Sequence, residues 1–182
     1  MAMSGLLARR LRRWELAGFL ITGALGPLLH FVYQWSGGNP AAGAFSAVNE
    51  SVWEHMKILF LPLFLTALVE MVVFTQRYRN FLAVKFLAVM AGVVLMPVLY
   101  YTYTGVWGRG CLTGDILLFY LCAAVSQVLS CRLLERGRLS GAGWQVAGLF
   151  GLWAVAFLFV YCTYHPPGLA IFQDPVTGRM GL

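Results

Sequence analysis

The residues with the most chemical potential stand in one short block, Asn49-Glu50-Ser51-Val52-Trp53-Glu54-His55-Met56-Lys57. If the block opens a helix with Asn49 as its cap, Glu50 suits the positive end of the helix dipole. Glu50 and Glu54 are then four residues apart on one face, Lys57 lies one turn beyond Glu54, and Ser51 and His55 share a neighbouring face. Two carboxylates beside an imidazole have the chemistry of an acid–base pair, so Glu50, Glu54 and His55 are the candidate catalytic residues. They also have the chemistry of a metal site. With His30 and His165 as the other imidazoles, His30, Glu54 and His165 form a candidate ligand set for a divalent metal such as zinc. The plainer reading is a capped helix start whose Glu54–Lys57 pair eases the helix into the headgroup region.

Other polar residues carry similar double readings. His30 follows Gly23 and Gly26, small residues that let helices approach, and is expected to face neighbouring helices, as a structural histidine or as a ligand. His165 precedes Pro166-Pro167, which must end a helix because proline has no backbone donor. Glu70 is a carboxylate inside an apolar run, a site candidate by default, with Arg77 or Arg79 as its expected partner. Tyr100-Tyr101-Thr102-Tyr103 reads as an interfacial belt before it reads as a pocket wall, and Pro62 and Pro97 should kink their helices. Cys111 and Cys162 could form a disulfide, whereas Cys122 and Cys131 read as packing residues.

The elements that must position these groups are membrane helices. Sixty per cent of the 182 residues are hydrophobic and only 11% are charged, against about 25% charged in a soluble domain. A water-soluble chain of this size has no interior large enough for so much apolar surface. Soluble enzymes, disulfide modules and disordered tails are excluded, and the net charge of +6 is a topology signal before it is a nucleic-acid one. A span needs about 20 apolar residues, and five segments qualify: 14–35, 56–75, 84–106, 113–131 and 143–164. The expected fold is an all-α polytopic helix bundle forming a single membrane domain over residues 1–182, with a C-terminal tail over 165–182.

The basic residues orient it. Ten precede the first span or fill the second and fourth connections, including Arg9, Arg10, Arg77, Lys85 and Arg132. Only Lys57, Arg109 and Arg179 fall on the other side. By the positive-inside rule the N-terminus is cytoplasmic and the tail extracytoplasmic. The first span reads as an uncleaved anchor rather than a signal peptide. Trp14 and Trp144 mark inner ends of spans, and Trp35, Trp53 and Trp107 mark outer ends. All three histidines, with Glu50, Glu54, Asp115 and Asp174, then gather toward the outer face. The tail Phe172-Gln173-Asp174-Pro175 has turn chemistry and is expected to fold back over that face, with an unstructured terminus as the alternative.

His30 with Tyr33 and Trp35, then VNESVWEHMK at 48–57, YYTYTG at 100–105 and FQDPVTGRMG at 172–181, resemble a family of small bacterial integral membrane proteins of unknown function. Met180 stands where that pattern has an aromatic residue. The resemblance implies a bacterial inner membrane and supplies no activity. A more distant similarity is to alkaline-ceramidase-type intramembrane hydrolases, although their paired His-x-x-x-His is absent here. Three functional readings follow. The first is a binding or accessory protein with a polar His/Glu cluster at the outer face. The second is a metal-dependent or acid–base hydrolase acting on a lipid or envelope substrate. The third is a small-solute or ion transporter, disfavoured by the lack of an internal repeat. The expected partners are the lipid bilayer and a second copy or another membrane protein, with no nucleic acid.

Overall fold

The structure, a computed structural model, describes residues 2–182, so Met1 of the expected domain lies outside the described residues. It is all-helical: α1 (Ala2–Trp35), a short α2 (Pro40–Gly43), α3 (Val52–Phe74), α4 (Phe81–Trp107), α5 (Leu112–Arg136) and α6 (Ala142–Tyr164), followed by a 3₁₀ turn at Ala170–Phe172. The five long helices are each long and apolar enough to cross a membrane. Each begins before or at the start of its predicted span. The N-terminal extension of α1 carries Arg9, Arg10, Arg12 and Arg13, and Arg12 reaches Glu135 at 3.4 Å.

Helices α1, α3, α4 and α5 form a four-membered ring, in which α1 packs on α3 and α5, and α4 packs on the same two. Helix α6 lies outside the ring, mainly against α4. Small residues set the closest approaches. A Cβ on Gly92 would lie 2.7 Å from the Cys122 carbonyl oxygen of α5, and one on Gly148 would lie 2.6 Å from the backbone of Leu82. Backbone cannot yield as a side-chain tip can, so these glycines fix the α4–α5 and α4–α6 spacings. Gln145 of α6 supplies the cap that α4 lacks, its Oε1 accepting from the Leu82 and Ala83 N–H groups at 3.0 and 3.3 Å. Those donors have no partner within their own helix.

One end of the ring is closed by a polar knot. Lys85 Nζ bonds Glu15 Oε1 at 2.9 Å and also contacts Glu70, while Ser130 Oγ donates to Glu15 Oε1 at 2.6 Å. With its amide oriented to suit its neighbours, Gln127 donates to Glu15 Oε2 at 2.5 Å and accepts from the Phe19 N–H at 3.3 Å. Glu15, Glu70 and Lys85 are all buried. Glu70 therefore pairs with Lys85, not with the expected Arg77 or Arg79. Antiparallel packing of α3 on α4 puts Lys85 directly across from it, whereas the arginines sit in the turn.

Two further expectations are revised. Lys57 and Lys85 lie inside the bundle, leaving nine basic residues against two as the topological signal. Trp53 is no interfacial anchor. Its ring is packed between Phe159 of α6 and Phe172 of the tail, with centroids at 4.6 and 4.5 Å. Trp35, Trp107 and Trp144 are exposed, as belt residues should be.

Candidate functional site

The block at 48–57 folds differently from its simplest helical reading. Helix α3 begins at Val52 and its cap is Ser51, whose Oγ accepts from the Glu54 N–H at 3.3 Å. Ser-x-x-Glu is a capping-box spacing. Asn49 sits outside the helix and its side chain accepts from the Ser51 N–H at 2.9 Å. Glu50 therefore precedes the helix, and the shared face expected for Glu50 and Glu54 does not form.

The two carboxylates go separate ways. Glu54 is 1% exposed. Its Oε2 lies 2.6 Å from Lys57 Nζ and accepts from the Val48 N–H at 3.0 Å. Lys57 also donates to the Gly43 carbonyl at 2.8 Å and to Thr163 Oγ1 at 2.7 Å. This second knot ties α3 to the α2 turn and to α6. Glu54, a candidate in both the catalytic and the metal set, is thus already occupied by a cation.

Glu50 turns instead toward the two imidazoles. Its Oε2 lies 3.4 Å from His30 Nε2 of α1 and 3.8 Å from His55 Nε2 of α3. The His30 and His55 rings meet edge to face, with centroids 5.2 Å apart. Each of the three residues offers a donor atom, and these atoms lie within 4.8 Å of one another. The contact with His30, opposed by partial burial, holds the Glu50 carboxyl below the ordinary carboxylate range. His165 does not join them. It follows α6, exposed to the surroundings, with its ring 5.0 Å from that of Tyr161. Because α6 packs outside the ring, its end lies away from the ring's interior.

Behind the trio lies a cavity of about 540 Å³, bounded by the four ring helices and partly open to the surroundings, at the end opposite the Glu15–Lys85 knot. Its walls are mostly apolar, with Ile58, Met96, Ile116 and Phe119 among them. His30, Glu50, His55, Tyr100 and Asp115 supply its polar groups. The separation of cavity and knot along α1, from Glu15 to His30, is about 22 Å at 1.5 Å per residue. Tyr120 of α5 closes one corner, its hydroxyl donating to the Gly23 carbonyl at 2.9 Å. Tyr100, read first as a belt residue, lines this cavity, and Tyr103 donates to Asp115 beside it.

The tail folds back, as its turn chemistry implies. Phe172 is buried, Leu182 N–H donates to the Thr163 carbonyl at 2.9 Å, and Asn49 Nδ2 donates to the Gly181 carbonyl at 3.2 Å. Pro175 and Val176 line the cavity. Asp174 organises the turn. Burial works against its ionisation, but the N–H groups of Val176 and Thr177, at 2.7 and 3.1 Å, outweigh that and hold its carboxyl below the usual range. Its other oxygen accepts from the Glu50 N–H at 3.4 Å, linking the tail to the trio. Cys111 and Cys162 are free thiols, so the disulfide that their placement allowed is not formed. Asp115 and the tail residues, placed at the outer face by the charge pattern but in neither candidate set, are wall groups of the cavity. The signal for Asp115 was its position in the first turn of α5, close in sequence to the tyrosine cluster.

No curated protein and no solved structure matches the chain. Nothing in the comparisons names an activity or links the chain to ceramidase-type hydrolases. The model for a family of unknown function, DUF6512, matches residues 3–182, nearly the whole sequence, and the chain belongs to that family.

Proposed function

We propose that the protein binds an amphiphile, with the ligand's chain in the cavity and its polar head against His30, Glu50 and His55. One observation carries this reading: an apolar cavity of about 540 Å³ and a cluster of ionisable side chains share the same walls. That volume falls within the range of small-molecule sites, and mostly apolar walls with a few convergent polar groups are the usual design. The resemblance to small bacterial membrane proteins supports a bacterial cell membrane, and the charge asymmetry of the connections supports an N-terminus in the cytoplasm, which would turn the cavity toward the outer leaflet. A second reading is hydrolysis of the same ligand, favoured by two imidazoles and a carboxylate standing at its head position.

Photolabelling tests both. The probe is a phospholipid with a diazirine in one acyl chain, incubated with purified protein in mixed micelles. Labelling at Met96, Ile116 and Phe119 should saturate, yield to unlabelled lipid, and weaken in Ile116→Trp, which narrows the cavity. Labelling at the exposed Phe150 and Phe157 of α6 should do none of these. Release of free fatty acid from the probe, lost in Glu50→Gln, would replace binding by hydrolysis. Uniform, non-saturable labelling of cavity and surface alike would overturn the proposal.

A further inference from the structure

The His30–Glu50–His55 trio has an internal feature that points to a cation. His55 Nδ1 lies 2.9 Å from the Ser51 carbonyl oxygen. A carbonyl can only accept, so Nδ1 must carry the proton. In the neutral ring this leaves the Nε2 lone pair facing Glu50 Oε2 at 3.8 Å. The same oxygen faces His30 Nε2 at 3.4 Å. The His55 nitrogen lone pair and the carboxylate oxygen it faces repel, and a cation placed between them removes the repulsion.

We propose that His30, Glu50 and His55 bind one divalent transition-metal ion of the zinc class, with a further coordination position facing the cavity. The donor geometry fits. Around a tetrahedral ion with bonds of roughly 2.0–2.1 Å, ligand atoms lie about 3.3–3.4 Å apart. The contacts to Glu50 at 3.4 and 3.8 Å are close to that spacing, and the two imidazoles, whose donor atoms lie within 4.8 Å of one another, must draw together to reach it. The Ser51 carbonyl acts on His55 as outer partners act on metal-bound imidazoles, fixing tautomer and ring orientation. The three ligands come from separate places, α1, the segment before α3, and α3 itself, and the Asp174 carboxylate holds the Glu50 backbone in position. Two imidazoles and one carboxylate select zinc-like ions over magnesium or calcium, which prefer oxygen ligands. Three protein ligands with one open position is the arrangement of catalytic rather than structural zinc sites. All three residues line the cavity, so a ligand's head group could reach that position.

The site rests on the three side chains alone and stands whether or not the cavity takes an amphiphile. The test uses chelator-stripped, detergent-purified protein titrated with Zn²⁺ or Co²⁺, with no lipid probe present. Wild-type protein should bind one equivalent and develop the intense visible absorption of low-coordinate Co²⁺. Glu50→Gln, His30→Ala and His55→Ala should each weaken binding by at least about 100-fold, more than loss of an outer partner does. His165→Ala should bind as wild type, and excess Mg²⁺ or Ca²⁺ should not compete. The wild-type titration decides the question even if a variant folds poorly. Absence of saturable binding in wild type, or undiminished affinity in folded trio variants, overturns the site while leaving the photolabelling result unaffected.

Discussion

Lys85→Met is expected to destabilise the protein by about 3–5 kcal/mol, the usual loss when one partner of a buried ion pair is removed. The reason is specific to the knot at the closed end of the ring. Lys85 is the ammonium shared by Glu15 and Glu70, and it comes from α4, which packs on α3 and stands across the ring from α1. Methionine fills much of the volume but leaves two carboxylates facing each other with no cation, each 4% exposed or less. Ser130 and Gln127 donate to Glu15 alone, so they do not compensate Glu70. Unfolding in mixed detergent, monitored by circular dichroism, should show the loss. Adding Glu15→Gln and Glu70→Gln to Lys85→Met should recover most of it, because the uncompensated charges are then gone. If the triple variant is no better than the single one, packing rather than charge explains the effect.

Lys57→Met should be comparably destabilising, about 3–5 kcal/mol, and should also damage the site. Lys57 neutralises Glu54 and donates to the Gly43 carbonyl and Thr163 Oγ1, so three acceptors lose their partner together. Glu54 in turn holds the Val48 N–H, two residues before Glu50. Freed from Lys57, Glu54 has no reason to stay in the interior, and the segment that aims Glu50 at His30 loses its anchor. Folded Lys57→Met protein should therefore lose saturable cavity labelling. Folded Lys85→Met protein, altered at the far end of the ring, should keep it. Glu54→Gln added to Lys57→Met should restore part of the stability, since a neutral amide is cheaper to bury than a lone carboxylate. Equal labelling in the two lysine variants would contradict this division of labour.

The contrast shows what could be read in the sequence and why. The five helices were legible because bilayer thickness demands long apolar runs, and Met56–Thr75 or Gly143–Tyr164 have no other plausible use. Pairing between helices was harder, since apolar composition does not say which face meets which. Glu70 and Lys85 show a signal that does. Each lies four residues from the turn that joins Phe74 to Phe81, so an antiparallel hairpin sets them opposite one another. His30 and His55 flank the α1–α3 connection in nearly the same way. His165 has no such relation to either. Its placement depended on α6 packing outside the ring, which no local pattern reveals.

At finer scale, the helix start was misread because Asn49 and Ser51 are both good caps, and only Ser51 has a glutamate three residues on. That two-residue difference decides which carboxylate faces the imidazoles. With the cap at Ser51, Glu54 falls on the buried side of the first turn and Glu50 stays in the approach to it. The cavity showed in the sequence only as the less favoured pocket-wall reading of Tyr100–Tyr103, and its apolar walls could not be assembled from it. It arises from four helices that pack through small residues and a kink-prone Pro27, and it exists only in their assembly.

The central claim is that the cavity and the His30–Glu50–His55 cluster form one ligand site. The most direct measurement is a crystal structure of the protein grown from a lipidic mesophase. The account predicts elongated density running along Ile116 and Phe119, with its polar end at His30 and Glu50. A cavity closed by its own side chains, or ordered lipid confined to the outer surface of α6 while the cavity holds only water, would contradict it.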